Sequence, residues 1–161
     1  MKKTVIMLLV IIVAIILLFE ALMDAASADT KYILCKPETE INVRRSPKFR
    51  GEIIGHLYFG DRVELDGSIR NGFAQVGGFG FEVMEGWLYT GLLVDDPPMI
   101  YEATAEIVSS GRVAARQYIN GKRNKWLKPG KEVYVYAISR EWSITDQGYI
   151  KTAFLSAKVP E

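Results

Sequence analysis

From residue 31 onward no stretch of the chain holds the apolar period of about 3.6 residues that an amphipathic helix needs. Short runs of β-branched and aromatic residues are instead cut every eight to twelve residues by Gly, Asn, Asp or Pro. That pattern restricts the chain to an all-β fold of short strands. Candidate strands cover residues 32–35, 41–44, 52–58, 62–66, 73–76 and 86–89. Asp95-Asp96-Pro97-Pro98 then breaks the pattern, because proline donates no ladder hydrogen bond and restricts the residue before it. Beyond the break the strands resume at residues 103–108, 113–116, 125–127, 132–138, 143–145 and 149–151.

The two halves superpose in order. Ile41-Asn42-Val43-Arg44 aligns with Val113-Ala114-Ala115-Arg116 at an offset of 72, and Gly60-Asp61-Arg62-Val63 with Gly130-Lys131-Glu132-Val133 at 70. Asn71–Val76 aligns with Arg140–Thr145 at 69, and Gly86-Trp87-Leu88 with Gly148-Tyr149-Ile150 at 62. The sudden drop of seven at the end marks an insertion in the first half, Gly77-Gly78-Phe79-Gly80-Phe81-Glu82-Val83.

The motifs INVRRSP, FGDRVELDG, NGFAQV and GWLYTGLL in the first half resemble the bacterial SH3-like domain, and VAAR, PGKEVYVYA, REWSIT and GYIKTAFL repeat them in the second. The second half lacks the Asn and the Ser/Pro turn, so the resemblance is incomplete at its first loop. The expected fold is therefore two small SH3-like barrels in tandem, residues 31–94 and 101–157, joined by a linker at 95–100. Modules of this size bury only about 60% of their unfolded surface, so closing the strands around one core is a natural solution. Val43, Ile54, Leu57, Val63, Leu65, Val76, Trp87 and Leu88 supply the first core; Ala115, Leu127, Val133, Val135, Ile144, Ile150 and Phe154 supply the second. The short connection and opposite net charges, −3 over residues 29–98 and +4 over 99–161, predict that the modules dock.

The start of the chain is of another kind. Lys2 and Lys3 precede an uninterrupted apolar run from Val5 to Phe19, which partitions into a bilayer while the charged end stays behind. At about 1.5 Å per residue this run covers roughly 22 Å, short of the ~30 Å hydrocarbon core. Ala26-Ser27-Ala28 offers the small-x-small pattern of a signal-peptidase site, with Asp29 as the new first residue. Residues 1–28 are read as a signal peptide, with an uncleaved membrane anchor as the alternative, and the remainder is placed outside the cytoplasmic membrane, in the envelope or secreted.

Catalytic and metal chemistry find little material. One cysteine, Cys35, and one histidine, His56, are too few for a zinc site, and no phosphate loop or dinucleotide fingerprint occurs. No cofactor is expected. Cys35 reads as a buried strand thiol, His56 as a half-exposed strand residue, and a nucleophilic pair would need a third orienting group. The net charge of +1 carries no dense basic stripe for nucleic acid. Binding features are better supplied. Arg44, Arg45, Lys48 and Arg50 cluster in the first loop, where guanidinium groups would meet carboxylates. Phe79 and Phe81 stand among glycines in the insertion, while Tyr118, Lys122, Arg123, Lys125 and Trp126 form a second basic and aromatic patch. Trp142 and Tyr149 are assigned to the core or its border. The resemblance implies a non-catalytic binder of peptidoglycan or its stem peptides; the competing reading is an envelope adaptor that tethers a separate enzyme.

Overall fold

A computed structural model describes residues 29–79 and 84–157. The predicted signal segment and Phe81 lie outside the described residues. The first module comprises β1 (Asp29–Ile33), β2 (Ile41–Arg44), β3 (Ile53–Leu57), β4 (Arg62–Arg70), β5 (Phe73–Phe79), β6 (Met84–Tyr89) and β7 (Leu93–Val94). The second comprises β8 (Met99–Glu106), β9 (Val113–Arg116), β10 (Arg123–Leu127), β11 (Glu132–Ile138), β12 (Trp142–Thr145) and β13 (Gly148–Lys151). The described residues are all-β, with two sheets ordered β3-β2-β6-β5-β4-β1-β7 and β10-β9-β13-β12-β11-β8.

The first six strands of the first order correspond one for one to the six of the second. A single 3₁₀ turn follows the last long strand of each, at Thr90–Leu92 and Thr152–Phe154. The Ile33–Leu93 pairing of the first sheet has its counterpart in an Ile107–Leu155 bridge. Gly86 and Gly148 are demanded by close approach at matching places. A Cβ on Gly86 would lie 2.4 Å from Val43 Cγ1, and one on Gly148 2.4 Å from the Arg116 carbonyl oxygen. Among the described residues neither sheet closes through hydrogen bonds: β3 and β7, and β10 and β8, remain edges. The β10 edge carries exposed Arg123 and Lys125, which discourage pairing with another chain.

Each module has its own core. Ile33, Cys35, Val43, Leu57, Val63, Val76 and Leu88 fill the first; Ala105, Ile107, Val113, Ala115, Leu127, Val133, Val135, Ile138, Ile150, Leu155 and Ala157 fill the second. Two expected core residues lie in none of the apolar clusters. Trp87 is half-buried, on the opposite side of β6 from Leu88, with the Arg70 guanidinium 5.8 Å from its ring centroid. Phe154 falls in the 3₁₀ turn and is 38% exposed, because Leu155 and Ala157 take the core positions next to it. Cys35 is buried as expected but lies beyond the end of β1. Residues 77–79 of the insertion continue β5, and Phe79 pairs with Met84 of β6 across an irregularity after Val76.

A third apolar cluster joins the modules. Leu34 and Val94 from the first meet Ile119, Ala137, Trp142, Ile144 and Tyr149 of the second. Register explains how one sheet serves both. On β13, Ile150 points into the second core while Tyr149 points away from it; on β12, Trp142 and Ile144 pair with Lys151 and Tyr149 and so share Tyr149's outer face. All four residues of β12 are buried, as a strand covered on both sides must be. Ile144 therefore belongs to the junction and not to the core assigned to it by its place in the repeat. The junction is also hydrogen-bonded: Tyr149 Oη donates to the Leu34 carbonyl at 2.8 Å, and Ile119 N–H donates to the Gly91 carbonyl at 2.9 Å. Burial drives the Tyr149 phenol strongly up from its ordinary pKa, so it remains a donor.

Candidate functional site

The junction leaves a cleft of about 380 Å³ between the modules, lined among others by Cys35, Glu40, Arg44, Phe49, Tyr89 and Tyr118. Its wall is built by a strand end and two loops. Tyr89, which points out of the first core because Leu88 points in, ends β6. Phe49 comes from the β2–β3 loop and packs its ring 5.0 Å from both Phe73 and Tyr89. Tyr118 arrives from the β9–β10 loop and meets Tyr89 edge-on at 4.8 Å. Edge-to-face contacts of this kind hold rings at fixed angles, with faces left over for a ligand. Phe49 remains 57% exposed despite its two partners. Past the Tyr89–Tyr118 contact a second hollow of about 420 Å³ continues along Phe49, Gln117 and Lys122.

Arg44 orders the loop that carries Phe49. Its Nη1 donates to the Gly51 carbonyl at 2.8 Å, and the Asn71 side-chain amide donates to the Pro47 carbonyl at 3.3 Å. Arg116 makes the matching bond in the second module, Nη1 to the Gly121 carbonyl at 2.7 Å. The guanidinium of Arg44 retains further donors at the cleft. Lys36 also lines the cleft, its ammonium 4.5 Å from the Tyr136 ring centroid. Glu40, the acidic member, accepts from the Tyr58 hydroxyl at 3.3 Å, with His56 Nδ1 3.6 Å away. Its charge holds the Tyr58 phenol above its ordinary pKa. Burial, with the Asp61 charge adding to it, pushes the Cys35 thiol at the cleft floor up to about 11.

The residues singled out from sequence divide. Arg44, at the end of β2, and Tyr118, from the β9–β10 loop of the other module, both line the cleft. Arg45 is turned to Glu52, Nε to Oε2 at 2.6 Å, which lowers the Glu52 carboxyl below its usual range. Arg50 is exposed in the same loop and makes no ion pair among the described residues. Trp126 stands elsewhere, on the β10 edge, with the Arg123 guanidinium 4.6 Å from its ring centroid. Phe79 belongs to β5. Phe49 and Tyr89 escaped the sequence reading, although alternation along Trp87-Leu88-Tyr89 already sets Tyr89 on the non-core side. Gly91 makes the contact between modules possible. A Cβ there would lie 2.5 Å from Tyr89 Cε1 and 2.7 Å from Tyr118 Cβ.

No family model matches the sequence, and no curated protein matches it. Among solved structures the chain is similar to NlpC1 from Trichomonas vaginalis, at 18% identity and a TM-score of 0.31, covering 82% of this chain and 46% of that one. It is also similar to NlpC2 from Trichomonas vaginalis, at 17% identity and a TM-score of 0.33, covering 84% of this chain and 51% of the other. The chain thus spans about half the length of these two proteins.

Proposed function

We propose that the chain is an exported, non-catalytic protein that binds a cell-envelope ligand, with the stem peptides of peptidoglycan as the leading candidate. The observation that carries this reading is the inter-module cleft, where Phe49, Tyr89 and Tyr118 offer ring faces beside the cations of Arg44 and Lys36. A sugar ring or apolar peptide side chain stacks on the rings while a carboxylate is drawn to the guanidinium. The resemblance to tandem bacterial SH3-like modules supports the envelope setting, and the shared strand order of the two sheets fits it. Of the binding features read from the sequence, Arg44 and Tyr118 line this cleft as its polar and aromatic members.

Catalysis is not part of the reading. A thiol that ionises near pH 11 supplies little thiolate at neutral pH, and His56 is engaged with Glu40 at the exposed edge strand β3. The binding claim is tested by titrating purified protein with soluble muropeptides. The double substitution Phe49→Ala with Tyr118→Ala is expected to weaken binding at least tenfold, with the fold retained, since a stacked ring contributes about 1–3 kcal/mol. No binding, or equal binding by the variant, would sink the proposal. N-terminal sequencing of envelope-recovered protein addresses export: an Asp29 start supports cleavage, an intact Met1 an anchor.

A further inference from the structure

We infer that the second module carries an independent site for an acidic polysaccharide, on the part of its outer sheet face that the first module leaves open. The face follows from register. Tyr149, Trp142 and Ile144 occupy the covered portion; Lys151 on β13, Ala114 and Arg116 on β9, and Trp126 and Arg123 on β10 continue it outward. Trp126 lies opposite Ala114, and Arg123 opposite Arg116. Ala114, Arg116, Lys151 and Phe154 line a hollow of about 290 Å³ on this face. From β10 to β13 the row crosses two inter-strand gaps, roughly 10 Å.

Three properties of the face select the ligand. Arg116, Arg123 and Lys151 make no ion pair among the described residues, so the charge is uncompensated. No acidic side chain lines the hollow; Asp95, Asp96 and Glu141 line a neighbouring one that shares Asn120 and Trp142 with it. Trp126 is 49% and Phe154 38% exposed, which gives apolar ring surface beside the cations. The cations are held in place: Arg116 by its bond to the Gly121 carbonyl, Arg123 over the Trp126 ring, Lys151 with its ammonium 5.6 Å from the Trp142 centroid. Fixed cations favour a chain with repeated anionic groups, and exposed aromatic surface favours one whose units are rings. A carboxylated glycan meets both demands, whereas a polyol phosphate meets only the first.

Short oligogalacturonate, neutral maltooligosaccharide, poly(glycerol phosphate) and oligothymidylate serve as probes in titrations of the purified protein. Oligogalacturonate is expected to bind most tightly and to weaken with added salt. Trp126→Ala should lower its affinity about tenfold, and Arg123→Gln with Lys151→Gln should abolish it. Phe49→Ala with Tyr118→Ala, which disables the cleft, should leave it unchanged. If the cleft variant abolishes galacturonate binding, the anion enters the cleft and this site is refuted while the cleft reading survives. Absence of galacturonate binding also refutes it. Equal or tighter binding of poly(glycerol phosphate) or oligothymidylate, or an unaffected Trp126→Ala protein, overturns the assignment of a ring-bearing acidic glycan.

Discussion

Removal of one buried hydroxyl, Tyr149→Phe, tests whether the two modules are one folding unit. Phe retains the ring packed at the junction and deletes only the Oη that donates to the Leu34 carbonyl at 2.8 Å. Leu34 is fully buried, so its carbonyl then loses that partner in a place water does not reach. Leaving a buried acceptor unpaired costs about 1–3 kcal/mol, and the ring contributes no compensating gain. A loss of about 2 kcal/mol corresponds to a fall of roughly 4–8 °C in Tm for a chain of this size. Urea unfolding followed by tryptophan fluorescence and by circular dichroism should show one shared transition, its midpoint lowered and its slope unchanged. An unaltered midpoint would refute the buried bond. Two separate transitions, with only the second module's shifted, would refute the single unit.

Three further outcomes are expected. Gly91→Ala should cost about 1–3 kcal/mol in denaturant unfolding and weaken muropeptide binding as well, because the added methyl forces apart Tyr89 and Tyr118, which it would approach to 2.5 and 2.7 Å. Cys35, whose thiol ionises near 9 in the open chain and is pushed up to about 11 by burial, holds its proton more tightly when folded. Its contribution to stability is fully present below pH 9 and is lost as pH rises towards 11, so iodoacetamide should label native protein at pH 8 far more slowly than unfolded protein. The purified protein should release no soluble muropeptides from sacculi; release abolished by Cys35→Ala or His56→Ala would identify an enzyme.

Fold class was legible because strand alternation and turn residues are local signals. Ile41–Arg44, Val113–Arg116 and Glu132–Ile138 fall where β-branched runs and flanking turns placed them. The two-residue strand β7 was not legible, since Leu93-Val94 becomes a strand only by pairing with Tyr32 and Ile33 some sixty residues earlier. Phe154 and Ile144 were misassigned for a related reason: a hydrophobic side chain announces burial without saying against what. Trp142 and Tyr149 were recognised as packed residues, yet the surface they pack on belongs to the other module. The site was legible in part. Arg44 and Tyr118 carried the right chemistry, while Phe49 entered only through loop geometry fixed by bonds to the Pro47 and Gly51 carbonyls.

The central claim, that the cleft between the modules holds an envelope ligand, is tested most directly by co-sedimentation of purified protein with sacculi stripped of all other protein. The wild-type chain should pellet with intact sacculi, and the Phe49→Ala, Tyr118→Ala protein should stay in the supernatant while retaining the wild-type circular dichroism spectrum. A folded double variant that pellets as fully as the wild type, or a wild type that never pellets, would contradict the account.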